Sequence, residues 1–475
     1  MFPLAAYIPL ADPPSSPATS GRILLIPLDS RPAATQFPAM IAAMAATDVR
    51  VPPYDTLGRF TRPGTPDRIL DWLERQPMGG VDAIVASADM VAYGGLIASR
   101  VEGTTQAKAV ERLERLLRIK RMNAPKVPLF VFASTMRLAP TATFASASYR
   151  MDLTKYEEAR SRYFRGGEPK LLPLIAKLRA KVPPERAAEY ERVRARNERV
   201  EGALIRMATR PEISYLTIGQ DDAKPDGPHI QETARLRALA KLLSLQEKVF
   251  FCEGIDQHAN VLVSRALLKA KAWSPRVRVV YSDEDGKLRF AKYESKTIEA
   301  SLADQLEASG ATLAGPGEGY DYSLYLNVPK PRPAQFEPWL ASLCEEADQG
   351  FPVAVADINF TADGTSDQRV HEAALQNGRA MRLLAYAGWN TAGNTMGTAI
   401  PAANVYLFAR KFGADPLRRE VAQREFLLHR LADDYDFHRF TRPEAYRMLD
   451  RLQGQRDEAY GAVFQQVDAF VRRDL

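Results

Sequence analysis

Polar and mostly acidic side chains stand just past six short apolar runs of this chain, and those positions are where chemistry could be done. RILLIPL is followed by Asp29 and, across Ser30, by Arg31; DAIVASA is followed by Asp89 and then Tyr93, Gly94 and Gly95. ISYLTIGQ leads into Asp221 and Asp222, VFFC into Glu253 and Asp256, and FPVAVA into Asp357 and Asn359. The sixth run, Met381 to Ala387, ends in AGWNTAGNTMGTAIP at residues 387–401. There Gly388, Gly393 and Gly397 would let backbone approach a ligand, Asn390 and Asn394 offer both donors and acceptors, Thr391 adds a hydroxyl and Trp389 a flat apolar face. That stretch reads as a ligand loop.

Convergent carboxylates and amides suit glycoside hydrolysis, which needs one carboxyl group kept protonated as acid and a second acting as base or nucleophile. Asp222 and Glu253 are the expected catalytic pair, with Asp221 or Asp256 tuning its neighbour by like-charge repulsion. The expected substrate contacts are Asp29, Asp89, Asp357, Asn359 and Thr391, with Trp389 and Tyr93 stacking on a sugar face. Asn390 and Asn394 would hold hydroxyls, and Arg31 or Arg100 an acidic substituent. Retention or inversion depends on the carboxyl separation, which a sequence does not carry.

Two other readings stay open. Metal-assisted hydrolysis could draw on Glu253, Asp256 and His258 in EGIDQH and on Asp222, Asp226 and His229 in DDAKPDGPH, yet the chain has 5 histidines and no HExxH, so no metal is assigned. A non-enzymatic sugar or solute receptor would use the same residues, without needing one acid of raised pKa. Serine chemistry has no GxSxG, and Ser87 and Ser134 have no recognisable histidine partner. Neither GxGxxG nor GxxxxGK[ST] occurs, so no nucleotide cofactor is expected. Asp363 in TADGTSD reads as a plain turn residue.

The runs that must position these groups alternate with amphipathic segments, the pattern of an α/β protein with mainly parallel sheets. The expected organisation is a mobile segment at 1–21, a first α/β domain at 22–273, a second, Rossmann- or flavodoxin-like domain at 274–412 and a helical extension at 413–475. The first domain is expected to be doubly wound, a TIM-like barrel being the alternative, with a helical hairpin inserted at 151–210. DEDGKLRF looks like a hairpin turn in the second. The active cleft is expected between the first domain's strand ends and the GWNTAGNT loop.

Composition sets the outer bounds. The 475 residues are 46% hydrophobic and 26% charged, which describes a globular chain able to bury sizeable cores. Lys and Arg exceed Asp and Glu by 64 to 58, spread over helical faces without aromatic interleaving, so no nucleic-acid partner is expected. A small-molecule or oligosaccharide substrate is expected instead, with the oligomeric state open. Cys252 and Cys344 fit neither a disulfide framework nor a zinc knuckle. The opening MFPLAAYIPLADPPSSPATSG has no basic n-region, and no run elsewhere approaches a membrane span. The cytoplasm is favoured, with export following if the start has clipped a signal peptide.

The ordered segments LLIPLDSRP, IVASADMVAYGGLIASR, TIGQDDAKPDG, EGIDQH and AGWNTAGNTMGTAIP resemble the bacterial family catalogued as domain of unknown function 4127 across most of residues 22–412. The resemblance implies that the strand-end acids belong to one shared design, and it carries no established reaction. In the family pattern an acidic residue more often follows the aspartate where this chain has Gln257; the lost carboxylate would weaken a metal role for that motif.

Overall fold

A computed structural model of the chain describes residues 21–413, 415–452 and 462–474. The expected mobile segment at 1–21 lies outside the described residues except for Gly21, which opens the first strand. Six strands form the first sheet: β1 (Gly21–Ile26), β2 (Thr47–Arg50), β3 (Ala83–Ser87), β4 (Leu129–Thr135), β5 (Ile213–Gln220) and β6 (Val249–Glu253). All pair in parallel, in the order β2-β1-β3-β4-β5-β6. The sheet is open, with β2 and β6 as free edges, so the barrel alternative is corrected: the strands never close on themselves.

Their sequences explain the burial. In β1, Ile23 and Leu25 enter one core while Leu24 and Ile26 enter the other, all four fully buried. Alternation of period two with both faces covered is what an uninterrupted apolar run produces in a parallel sheet.

The second sheet holds β7 (Arg276–Tyr281), β8 (Thr312–Leu313), β9 (Tyr322–Asn327), β10 (Val353–Asp357) and β11 (Ala385–Ala387), again parallel, in the order β11-β10-β9-β7-β8. This is the doubly wound order of flavodoxin-like sheets. DEDGKLRF is not a hairpin: it forms a 3-10 turn at Gly286–Leu288, and the only nearby pairing is one antiparallel bridge between Phe290 and Thr297.

The two sheets do not stand apart. A single core contains Leu25 of β1, Phe37 and Ile41 of the helix Pro32–Ala43, and Leu262 of the helix His258–Ala270. It runs on through Met396 and Ile400 of the helix Ala392–Phe412 to Leu324 and Ala356 of the second sheet. Every residue from Ala392 to Val405 is buried, as expected of a helix enclosed on all sides rather than laid on a surface.

The insert is also more integrated than a protruding hairpin. It contains three helices, Arg150–Gly166, Leu172–Arg179 and Pro184–Met207. The last starts on Pro184, whose fixed φ suits a first helical turn. Its far end places Val200, Leu204, Ile205 and Met207 in the outer core of the first sheet, so it is the crossover from β4 to β5. After residue 413 the described chain is helical, as expected, over Pro416–Leu431, a π-helical stretch Ala432–Thr441, Arg442–Arg451 and Ala462–Asp474. No helix among the described residues is long and apolar enough to cross a membrane.

Candidate functional site

In the first sheet β1 sends the chain to β2 on one side and, later, to β3 on the other. Open α/β sheets form a crevice beyond the strand carboxyl ends at such a switch point. Here that crevice is a cavity of about 460 Å³. Its walls are Asp29 and Arg31 after β1, Gly94, Gly95 and Arg100 after β3, Arg137 after β4, Asp221 and Asp222 after β5, Asp256 after β6 and Asn390 after β11.

The charges interlock. Asp29 accepts the backbone N–H of Arg31 at 3.0 Å and its guanidinium at 2.6 Å. The same guanidinium reaches Asp256 Oδ1 at 2.7 Å, tying the ends of β1 and β6 together. Asp256 Oδ2 accepts a second N–H of Arg31 at 3.3 Å, Asn390 Nδ2 at 3.2 Å and Asn394 Nδ2 at 3.4 Å. Asn390 takes a left-handed φ of 55°, a conformation asparagine tolerates better than most residues.

The adjacent aspartates are pushed apart. Asp221 is buried against Arg100 and accepts the backbone N–H of Asp222 at 2.9 Å. Burial opposes its charge, but Arg100 and Arg137 outweigh it and hold its pKa below the usual value. Asp222 pairs with Arg137, and its pKa is raised, first by burial and then, against the pull of Arg137, by the charges of Asp221 and Asp256. The two neighbouring carboxyls are thus shifted in opposite directions.

A family model described as protein of unknown function, DUF4127, matches residues 23–475. The chain belongs to the DUF4127 family. No curated protein matches it. The five segments that carry the sequence resemblance to DUF4127 each bring at least one residue to the cavity wall: Asp29, Gly94, Asp222, Asp256 and Asn390 come from the five in turn.

Of the site residues expected from the sequence, Asp29, Arg31, Arg100, Asp221, Asp222, Asp256 and Asn390 meet here, and eight do not line the cavity. Glu253 is the main correction. Its carboxylate is turned to Ser295, accepting the hydroxyl at 2.5 Å and the N–H at 3.1 Å, and it lines a separate cavity of about 220 Å³ with His229, Arg237 and Lys296. Asp89 is buried beneath the wall, accepting the N–H and hydroxyl of Ser134 at 2.9 and 3.0 Å, and burial pushes its pKa up to about 6. Tyr93 is buried with the Arg196 guanidinium 4.6 Å from its ring centre.

The loop that looked most like a ligand cradle mostly builds the protein. Trp389 is buried edge-on to Phe37 at 5.5 Å, with its indole N–H on Thr398 at 3.2 Å, so it is no sugar platform. Thr391 caps the helix Ala392–Phe412 by accepting the N–H of Asn394 at 3.3 Å, and Asn394 is buried behind Asp256. The glycines serve packing: a Cβ on Gly388 would lie 2.5 Å from Ser366 Cβ, and one on Gly397 would lie 2.2 Å from Gln257 Cγ. Gln257 itself is fully buried, so its position belongs to this packing and not to the cavity.

At the second sheet, Asp357 accepts Asn327 Nδ2 at 2.9 Å and the N–H groups of Asp367 and Asn359 at 2.6 and 3.2 Å. Asn359 gives its amide to Asp367 at 2.8 Å. The switch-point residue Asp283 is fully buried under Arg332 at 2.7 Å. These strand ends consume their own polar groups.

The histidines of the metal reading are likewise engaged. His258 contacts Thr217 Oγ1 at 2.9 Å and Cys252 Sγ at 3.3 Å, His229 contacts the Lys224 carbonyl at 2.9 Å, and burial pushes both down to about 3. Asp226 pairs with Arg165 at 2.7 Å. Among the described residues no three His, Cys, Asp or Glu side chains are grouped to hold a metal ion.

Sequence reasoning missed Arg137 and the lip. Arg59 and Arg62 pair their backbones across a tight turn whose tip, Phe60, is 42% exposed, making it the exposed aromatic on this cavity. The lip depends on close approach: Gly58 has φ +70°, and its Cβ would lie 2.4 Å from the Arg62 carbonyl oxygen. A Cβ on Gly94, at φ +92°, would come within 2.8 Å of the Gly64 carbonyl oxygen. A basic pair around a glycine-flanked aromatic was the available signal.

Glu253 has a neighbour that yields a pH prediction. Glu294 accepts the N–H of Gly393 at 2.7 Å and the Ser301 hydroxyl at 2.9 Å, and burial, then the Glu253 charge, pushes it from 4.5 up to about 8. Folding therefore takes up a proton between those values, and stability falls as pH rises through them. Asp357 and Asp434, each raised to about 7 by burial, act in the same direction. The depressed histidines oppose this only below their ordinary value of 6.5. The melting temperature should fall from pH 6.5 to pH 8, and Glu294→Gln should flatten that fall in calorimetry while leaving the value at pH 5 nearly unchanged. An unaltered slope would show that Glu294 does not hold its proton.

Proposed function

We propose that this protein is a carbohydrate-active hydrolase that cleaves a glycosidic bond in the cavity at the end of the first sheet. The observation that carries the reading is Asp222, a carboxyl of raised pKa in the wall of a polar cavity, within electrostatic reach of a second carboxyl, Asp256. Two such groups are the minimum for glycoside hydrolysis: one protonates the leaving oxygen, the other activates water or attacks the sugar. Asp222 takes the acid role because its surroundings shift its pKa upward. Asp256 takes the second role in place of Glu253, with N–H donors of Arg31, Asn390 and Asn394 fixing its orientation. Asp221, kept charged by Arg100, maintains the field that holds the proton on Asp222. Phe60 at the lip offers the apolar face for a pyranose ring.

The cavity volume lies in the range of small-ligand sites, which run from about 300 to 1,000 Å³. Closure of two lobes around a solute would have to open the core that both sheets share, so preformed catalysis suits this architecture better than a hinged receptor. The test is release of aryl alcohol or reducing sugar from a panel of aryl glycosides and oligosaccharides. The wild type should turn over at least one of them, and Asp256→Asn should cut that turnover by about 10³-fold or more while sugar still binds. A wild type that binds sugars and cleaves none would overturn the assignment.

A further inference from the structure

The cavity wall is lined by charges of both signs. Five arginines, Arg31, Arg59, Arg62, Arg100 and Arg137, face four aspartates, Asp29, Asp221, Asp222 and Asp256. Arg100 is committed to Asp221, and Arg31 holds both Asp29 and Asp256. Arg62 stands exposed on the lip with no carboxylate partner among the described residues.

Arg137 is the less ordinary case. Its side chain is 17% exposed, its ion pair is with Asp222, and its Nε is buried without a hydrogen-bond partner. If Asp222 carries the proton that the proposed reaction needs, Arg137 loses the charge of that partner while remaining mostly out of water. The charges of Asp221 and Asp256 still act on it, but Asp221 is paired with Arg100 and Asp256 with Arg31. A mostly buried cation short of counter-charge is costly, and a guanidinium offers five donors in a planar fork that fits an anion's oxygens.

We infer that the ligand of this cavity carries an anionic substituent, a carboxylate or a phosphate ester on a sugar, held between Arg137 in the wall and Arg62 on the lip. Such a group would replace the charge Arg137 loses when Asp222 is protonated. By competing for Arg137 it would also keep the proton on Asp222, so binding the correct substrate would prepare the acid. This inference places the acidic substituent on arginines other than Arg31, which holds Asp29 and Asp256, and Arg100, which is buried against Asp221 and Thr141. It rests on the proposed hydrolase site for the protonation step, while the exposed Arg62 and the unpartnered Nε of Arg137 stand without it.

The experiment is calorimetric titration of the full-length protein with glucose, glucuronate and glucose 6-phosphate, repeated with Arg62→Gln and Arg137→Gln. At least one anionic sugar should bind about tenfold tighter than glucose, the change expected from one charge-assisted hydrogen bond, and Arg62→Gln should remove most of that difference without altering the affinity for glucose. The two anionic probes separate carboxylate from phosphate recognition. Binding of the preferred anion should take up a proton, read from the dependence of the heat on buffer ionisation enthalpy, and Arg137→Gln should abolish that uptake.

Equal affinities for the three sugars, no binding by any of them, or an anion preference indifferent to both substitutions would overturn the inference. Because binding is read without turnover, a protein that prefers the anion yet cleaves nothing sinks the hydrolase reading alone. One that cleaves a neutral glycoside with no preference for charge sinks this inference alone. Arg62 lies on an exposed lip, so its variant tests the point even if Arg137→Gln fails to fold.

Discussion

Asp222→Asn is expected to lower turnover of a glycoside with an alkyl or sugar leaving group by about 10³-fold, within the range that a positioned general acid supplies. Against an aryl glycoside whose leaving group departs without protonation, the same variant should lose far less. The contrast separates proton delivery from mere support of the cavity, because a collapsed wall would slow both substrates alike. The pH profile should change as well. Asp222 is raised above its ordinary value by burial and by the charges of Asp221 and Asp256, so the wild type should be active while it remains protonated and lose activity as pH rises through its pKa. The asparagine variant should lack that basic limb. Equal losses on both substrates, or a limb that survives the substitution, would remove Asp222 from the acid role and leave Asp256 without its counterpart.

Most site-bearing strands were legible because they are apolar runs of the length and β-branched content that suit a covered parallel sheet: RILLIPL, DAIVASA, ISYLTIGQ and VFFC coincide with β1, β3, β5 and β6 of the first sheet, and FPVAVA and the run ending at Ala387 with β10 and β11 of the second. Two-residue β8 carried no such run and was missed. The crevice was legible too, since polar residues after consecutive parallel strands emerge at one end of a sheet. What a linear chain does not carry is the side on which each emerges. Glu253 and Asp256 follow the same strand, but Glu253 is in register with Gln220 and both side chains line the smaller cavity. Asp221, one residue past Gln220, turns to the larger cavity. Glu253 is followed by Gly254 at φ +76°, and that turn delivers Asp256 to the other side. An acid at a strand end is a candidate by type, and the alternation of the strand decides which site receives it.

The same distinction governs the GWNTAGNTMGT stretch. Glycine beside asparagine and tryptophan is the composition of a ligand loop and equally of a helix end packed tightly into a core. Only Asn390 faces the cavity; the other residues seat a buried helix. Arg137, in contrast, follows β4 in a segment whose sequence marks nothing, and it becomes significant because β4 lies beside β5 and sets its guanidinium against Asp222.

Gly397→Ala should be among the most damaging single-methyl changes in the chain, because the added carbon would sit 2.2 Å from Gln257 Cγ and 2.7 Å from Gln305 Oε1. Neither amide is free to move. Each donates its Nε2–H to the Glu253 carbonyl at 2.8 Å, so the two glutamines clamp the end of β6 from opposite partners. Overpacking a core costs about 1–3 kcal/mol, and leaving a buried polar group without its partner adds about 1–3 kcal/mol. A loss of about 2–6 kcal/mol in denaturant unfolding is therefore expected. The consequence reaches the cavity, since Gln257 adjoins Asp256 and the helix bearing Gly397 also carries Asn394 onto that carboxylate. Turnover should fall with stability. Gln257→Ala removes the carbon that Gly397→Ala would strike, so the double variant should be more stable than the sum of the two single losses predicts, a coupling expected of residues in contact. If the two losses simply add, or if Gly397→Ala folds as well as the wild type, then the helix does not press on Gln257, and this packing is not what sets Asp256 in place.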